Sequence, residues 1–419
     1  MSVVLSQSVF LAEQVRENEG PAAKRSGVTL YELMERAGLA TYKQAISYFP
    51  KASTFVVLAG VGNNAGDGYV VARLAKQAGK QVTVIAGLQD KPLKGDALSA
   101  QQAWLNAGGA ITTDVSAIEQ ADIIIDGLLG TGIQSEVREP FSELIKAANE
   151  SQKPIVAIDL PSGIHADTGV IQGIAIKAAI TVTFVGIKQG LVTGQGRAHA
   201  GNLEFADLGI GDTFLKLTAP TAELINYQSQ SPLSRRDNNS HKTNHGKLLC
   251  IGGNTGTAGA IRLTAEAALR TGAGMVKVYT HSSSILPVSI GRPELMVTDT
   301  NLISALEWAS CITIGPGLGQ DTWSETTFET VMQYCFTNNK PLVIDADALN
   351  LRAQHASSFP LVNTVITPHP GEAARLLNCH ASDIEENRFH AVKQLAHSYT
   401  TTCVLKGAGS LIADTNQTW

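Results

Sequence analysis

The sequence predicts an α/β protein of two domains, each built on a parallel sheet with helices on both faces. Three observations carry this. Short apolar runs alternate with amphipathic helical stretches from Thr54 onward, the pattern of βα units feeding a parallel sheet. Two glycine-rich loops, Gly60-Val-Gly-Asn-Asn-Ala-Gly-Asp-Gly68 and Gly252-Gly-Asn-Thr-Gly-Thr-Ala-Gly259, each follow a strand-like run and lead into a helical one, one loop in each half. The length, 419 residues, is too great for one ordinary core. The reading divides the chain into residues 1–222 and 223–419. The polar stretch Gln228–Ser240 connects the two parts.

In the first half, residues 12–48 read as helices. Thr29 is the expected N-cap, and Leu30, Leu33, Met34 and Ala37 have apolar helical spacing. A strand over 54–59 leads to a helix whose inner face is Val70, Val71, Leu74, Ala75 and Ala78. Further strands fall at 81–86, 123–125, 154–158 and 180–185. In the second half strands are predicted at 247–251, 275–280, 311–314, 341–344, 363–367 and 402–406. Helices are predicted at 258–271, 372–378 and 387–399.

Composition removes several function classes. A formal net charge of −5 does not suit a polyanion binder. Aromatic content of 5 % is too low for a base-stacking platform. No apolar run approaches the ~18 residues of a membrane span, and the N-terminus lacks a basic leader. The five cysteines form no CxxC, and Cys250, Cys311 and Cys403 fall in or beside strand-like runs. They read as small buried hydrophobes of a reducing, cytoplasmic protein.

The first loop is not a dehydrogenase fingerprint. It is one residue longer than G-x-G-x-x-G, and the next strand ends in Ala86-Gly87 where an acidic ribose partner is needed. Asp90 lies beyond that end, as a loop residue. The loop carries Asn63, Asn64 and Asp67 instead, short polar groups able to bind a cation, a sugar or an amide. Asp126 and Asp159 are expected just past strand ends, at the sheet edge where α/β proteins bind ligands. Together with Gly130–Gly132 and Asp159–Gly163 they should converge on one cleft; any single aspartate there could equally be a helix N-cap. In the second half, strand ends carry Gly315–Gly319, Asp345–Asn350, Thr367–Glu372 and Lys406–Ser410, with Asp345, His369, Glu372 and Lys406 supplying chemistry. A lysine beside a glycine loop suits a phosphate.

These residues resemble a known family, in which an NAD(P)HX epimerase domain is fused to an ADP- or ATP-dependent NAD(P)HX dehydratase domain. The matching segments in the first half are Leu33–Gly38, Asn63–Val70, Asp126–Gly132, Val137–Phe141 and Ala157–Gly163. In the second they are His241-Lys242, Gly246–Ala260, Arg292–Met296, Gly315–Gly319, Asp345–Asn350, Thr367–Glu372 and Lys406–Ser410. The resemblance implies repair of hydrated nicotinamide cofactors. The first domain interconverts the R and S epimers of NADHX and NADPHX. The second phosphorylates the S hydroxyl and eliminates phosphate.

By the same resemblance the first domain is Rossmann-like and three-layered, and the second ribokinase-like. Asn64, Asp126 and Ser162 match potassium ligands. Asn63, Asn64, Ala65, Gly66 and Asp67, with Gly130, Thr131, Gly132, Ile133, Gln134, Ser135 and Glu136, match the epimerase substrate cradle. Ala65 stands where glycine is more usual. Asp159 matches the acid–base residue. Ala260, Gly317 and His369 match dehydratase substrate contacts. Lys406, Gly407, Ala408, Gly409 and Ser410 match the nucleotide loop, which implies ADP or ATP with Mg2+. The family continues with a glycine-rich segment ending in Gly-Asp that supplies the dehydratase base. This sequence stops at Trp419, so the expectation is a C-terminally truncated second domain with weak or no dehydratase activity. The partners implied are the small-molecule substrate and further copies of the chain, with no nucleic acid and no membrane. Two other readings are a ribokinase-like small-molecule kinase and a non-catalytic dinucleotide- or protein-binding module.

Overall fold

The structure is a computed structural model that describes residues 5–87, 92–226, 235–355, 361 and 363–419. Asp90 and residues 228–234 of the predicted connection lie outside the described residues. Contacts divide the chain into Met1–Ile225 and Asn226–Trp419, three residues past the expected boundary.

The elements of the first unit are β1 (Ser8–Phe10), α1 (Ala12–Arg25), α2 (Leu30–Tyr48), β2 (Thr54–Ala59), α3 (Asn63–Gln77), β3 (Gln81–Ala86), α4 (Gly95–Asn106), β4 (Ile111–Thr112), β5 (Ile123–Gly127), α5 (Phe141–Glu150), β6 (Ile155–Ile158), β7 (Ile180–Phe184), β8 (Ile187–Lys188), α6 (Gly194–His199), β9 (Asn202–Ala206), α7 (Gly211–Leu215) and β10 (Ala222–Glu223). Seven strands form one parallel sheet in the order β4-β3-β2-β5-β6-β7-β9. Side chains alternate across it. Phe55 and Val57 of β2 pack with Val70 and Val71 of α3 on one face. Val56 and Leu58 pack with Leu144 and Ile145 of α5 on the other. Burial on both faces is why these strands read as continuous apolar runs.

The predicted helical stretch 12–48 is two helices, because the chain turns at Gly27 and restarts at Thr29. Thr29 Oγ1 accepts from the Glu32 amide at 3.2 Å and Glu32 accepts from the Thr29 amide at 2.8 Å. This reciprocal cap satisfies two helix-end donors. A separate small sheet, β10-β1-β8, ties the N-terminal strand to the segment after β7.

The second unit comprises β11 (Lys247–Ile251), α8 (Ala258–Thr271), β12 (Met275–Tyr279), α9 (Ile285–Ser289), β13 (Met296–Thr298), α10 (Leu302–Trp308), β14 (Cys311–Ile314), α11 (Thr322–Asn338), β15 (Leu342–Ile344), α12 (Asp347–Gln354), β16 (Thr364–Ile366), α13 (Pro370–Leu377), α14 (Ala381–Glu386), α15 (Arg388–Tyr399), β17 (Thr402–Leu405) and β18 (Leu411–Ala413). Its sheet runs β13-β12-β11-β14-β15-β16-β17-β18, parallel except for the last pair. The five cysteines are free; Cys250, Cys335 and Cys403 are buried, and burial pushes each of these thiols up to about 12. No described helix is long and apolar enough to cross a membrane.

Candidate functional site

In both large sheets the strand order reverses once, between β2 and β5 and between β11 and β14. Ligands of open α/β sheets bind at such a reversal, beyond the carboxyl ends of the strands. Each glycine-rich loop stands at one of them.

In the first unit, β2 and β5 approach so closely at their ends that a Cβ on Gly60 would lie 1.7 Å from the Leu128 carbonyl oxygen. Only glycine admits this approach. Past it, Gly62 caps α3, and Asn63–Asp67 is the opening of that helix rather than the loop expected. A cavity of about 860 Å3 opens here. Asn63, Asn64 and Asp67 line it, as do all seven predicted positions Gly130–Glu136 and Asp159. A helix N-terminus presenting backbone N–H groups to such a cavity suits an anionic ligand. Ala65 and Gly66 do not line the cavity. Both are buried, and a Cβ on Gly66 would meet Met34 Sδ of α2 at 2.6 Å. Their small size serves helix packing.

Asp126 lies inside β5, not past its end, and is fully buried. Its Oδ1 accepts from Ser162 Oγ at 2.6 Å and from the Leu128 amide at 3.2 Å. Its Oδ2 accepts from the Ser162 amide at 2.8 Å. Burial pushes its carboxyl up to about 6 against these hydrogen bonds. Asn64 joins the group through Leu129, whose carbonyl accepts from Asn64 Nδ2 at 3.0 Å and whose amide donates to Ser162 Oγ at 2.9 Å. The three predicted potassium ligands therefore converge. Among the described residues no cationic side chain pairs with Asp126.

Asp159 follows β6 with φ 62°, a left-handed conformation that costs an ordinary residue on the order of 1–3 kcal/mol. Its Oδ1 accepts from Thr183 Oγ1 and from the Phe184 amide, both at 3.1 Å, and from the Lys188 ammonium. Lys188 is 1 % exposed and also donates to Thr183 Oγ1 at 3.2 Å and the Phe184 carbonyl at 3.0 Å. Two more carboxyls line the same cavity. Burial raises Asp67 well above the usual range, and the Asp159 and Glu19 charges add to it while Lys188 opposes. Burial raises Glu19 as well, opposed by Lys188.

The sequence reading missed Lys188 and Glu19. Lys188 left a signal: it is the one charged residue in the run from Ile180 to Val192, and a lysine there must find a partner when buried. Glu19, in the polar segment Arg16–Gly20, left none.

In the second unit the strand-end motifs form one connected rim. The Gly317 carbonyl accepts from the Asn254 amide and from Thr257 Oγ1, both at 2.7 Å, at the start of the helix that carries Ala260. The Gly319 amide donates to Asp347 at 2.9 Å. Lys406 Nζ lies 2.7 Å from Asp345 and 4.0 Å from Glu372. Glu372 Oε1 in turn lies 3.4 Å from His369 Nε2, and His369 caps α13. Buried Arg388, a further residue missed in the sequence, donates to the Lys406 carbonyl at 2.9 Å and underpins the loop Lys406–Ser410. A cavity of about 390 Å3 involving Leu342, Thr364 and Thr402 lies at the amino ends of the strands, away from this rim.

Residues 30–190 match the model described as YjeF-related protein N-terminus, and residues 248–419 match NAD(P)H-hydrate dehydratase. The second match runs to the last residue, so the expectation of a truncated second domain is not borne out. A bifunctional NAD(P)H-hydrate repair enzyme of Escherichia coli strain K12 is 47 % identical over 98 % of this chain and 79 % of its own length. One of Vibrio cholerae is 40 % identical over 97 % of this chain and 82 % of its own. A solved structure titled as the ADP/ATP-dependent NAD(P)H-hydrate dehydratase of Bacillus subtilis is 27 % identical over 45 % of this chain and 67 % of that one, with a TM-score of 0.40.

Proposed function

Since this chain belongs to the family of bifunctional NAD(P)H-hydrate repair enzymes, we propose which residues perform each half of the repair. Epimerisation of NAD(P)HX takes place in the cavity at the β2/β5 reversal, with Asp159 as the acid–base group. The observation that carries this is a carboxylate in a strained conformation, held through one oxygen by three donors, on a cavity lined by both predicted cradle segments. The reacting carbon bears a hydroxyl and the ring nitrogen. Its C–O bond must open and reclose, and a fixed carboxylate can move the proton that each event requires. Losing a positioned acid–base group costs about 10²–10⁴ in rate. Asp159→Asn is expected to lose that much R-to-S conversion of NADHX while still binding substrate. Near-normal turnover would remove Asp159 from the role.

Potassium fits Asn64, Asp126 and Ser162. All three offer oxygen, Asn64 and Ser162 share the Leu129 backbone, Ser162 bonds Asp126, and the buried Asp126 carboxylate has no other counter-charge among the described residues. A bound cation would supply positive charge near the anionic substrate; the protein's part is to hold those oxygens in place.

In the second unit, which we read as ribokinase-like, Ala260, Gly317 and His369 face the substrate, and Lys406–Ser410 receives the phosphates of ADP or ATP. The support is the connected rim and a lysine beside glycines at a strand end. Asp345 and Glu372, hard oxygen donors next to Lys406, suit the Mg2+ that travels with the nucleotide. Five free cysteines support a reducing, cytoplasmic setting. Leu263, Leu286 and Ile290, exposed on and beside α8 and α9, support a homo-oligomer.

A further inference from the structure

Three carboxyls and one ammonium meet at the epimerase cavity. They come from separate elements: Glu19 from α1, Asp67 from α3, Asp159 after β6 and Lys188 from β8. Lys188 is committed to Asp159, Thr183 and Phe184. The Asp67 carboxyl makes no hydrogen bond or ion pair among the described residues, and only the charge of Lys188 favours its ionised form. One cation cannot neutralise three anions in a confined space, so the carboxyls without a partner among the described residues, Asp67 and Glu19, favour their protonated forms, Asp67 the more strongly. Asp67 is then a neutral acid and Asp159 a paired carboxylate on the same cavity, the arrangement that places a proton donor and a proton acceptor around one substrate.

We propose that Asp67 is a second proton-carrying group of the epimerase, working opposite Asp159. This rests on the reading of Asp159 as the acid–base residue. As the hydroxyl departs, the Asp67 carboxyl gives its proton to the hydroxyl oxygen. The C–O bond breaks, its electron pair leaves with water, and the ring-nitrogen lone pair forms a C=N bond. Water then adds to the other face of that carbon, the π pair returns to nitrogen, and the added water's proton goes to the Asp159 carboxylate. Each R-to-S turnover leaves Asp67 ionised and Asp159 protonated; proton exchange with solvent restores both groups before the next turnover, so no acid or base is consumed overall, and the S-to-R reaction runs the same steps backwards. A single group serving both faces would have to move between them, whereas two fixed groups need no such motion.

The charged groups that line the cavity with Asp67 are Arg16 and Glu19 of α1, Asp96 of α4, Glu136, Arg138, Asp159 and Lys188. Glu35 of α2 is engaged by Arg73 of α3. Loss of the Asp67 proton as pH rises should make the alkaline limb of the epimerase profile. The experiment uses the whole chain, R-NADHX without nucleotide, and chromatographic separation of the epimers. Asp67→Asn is expected to lower kcat about 10²–10⁴-fold with KM changed only a few-fold, and to abolish the alkaline limb. Asp67→Glu, which keeps a carboxyl, should recover part of the rate. Rates within a few-fold of the unsubstituted protein in Asp67→Asn, with the limb intact, would overturn the proposal. Equal losses in both variants, together with weakened substrate binding, would also overturn it and leave Asp67 a substrate-holding residue. If the unsubstituted chain itself fails to interconvert the epimers, the epimerase reading falls first and this proposal falls with it.

Discussion

Asp126 is the residue on which charge weighs most heavily. A fully buried carboxylate with no cationic partner among the described residues is unfavourable unless something compensates it, and the Ser162 and Leu128 hydrogen bonds do so only in part. A cation bound only by the folded protein adds about 2.7 kcal/mol of stability at a concentration 100-fold above its dissociation constant. Unfolding of the first unit is therefore expected at a higher temperature in potassium chloride than in tetramethylammonium chloride of equal ionic strength, with Asp126→Asn removing the difference. The same rise in the variant would place potassium elsewhere or make it a bulk-salt effect. At this scale the sequence was informative where a residue's chemistry conflicts with its surroundings. Asp126 and Asp159 stand at the ends of apolar runs and draw attention for that reason. Asp67 was visible as a polar loop residue, but its carboxyl is pushed up by burial and by the Asp159 and Glu19 charges, against Lys188, groups brought to it through tertiary contacts that no local pattern announces.

The elements that build the site are held together by close backbone approach. A methyl group on Gly60 would lie 1.7 Å from the Leu128 carbonyl oxygen, and backbone cannot give way as a flexible side chain can. Gly60→Ala should therefore cost about 1–3 kcal/mol in denaturant unfolding and displace the 128–136 segment, with loss of epimerisation. Gly132→Ala, where nothing lies within 4 Å of the added carbon, should change stability little. Comparable loss in both variants would mean that the contact does not set the register of this edge. Gly315, with φ 127° and a similar 1.7 Å approach to the Asp345 carbonyl, has the corresponding place in the second unit. Strand positions were legible because βα units repeat the same apolar run and helical face. The short edge strands β4, β9 and β13 were not, since a few half-exposed residues carry no period. The helical start at Asn63 was also hidden, because glycines and asparagines read as loop although Gly62 caps a helix there.

At the scale of the whole molecule, two sheets each place a glycine-rich loop at a reversal of strand order, and the downstream motifs divide the labour. The first edge gathers carboxyls and oxygen donors, to which we have assigned proton and cation chemistry. The second gathers a lysine, glycines and a helix-capping histidine, to which we have assigned phosphate chemistry. The two-domain α/β architecture was legible from alternation alone. The division between epimerase and dehydratase depended on the order of motifs along the chain, and agrees with family matches over 30–190 and 248–419. The most direct test of this account is to give the whole chain pure R-NADHX, first without nucleotide and then with it, following both epimers and NADH. The account predicts that R converts to a mixture of R and S and stops there, that adding ADP or ATP with Mg2+ then draws the mixture to NADH, and that Asp159→Asn leaves R unchanged in the first stage. Appearance of S only when nucleotide is present, or undiminished conversion in Asp159→Asn, would contradict it.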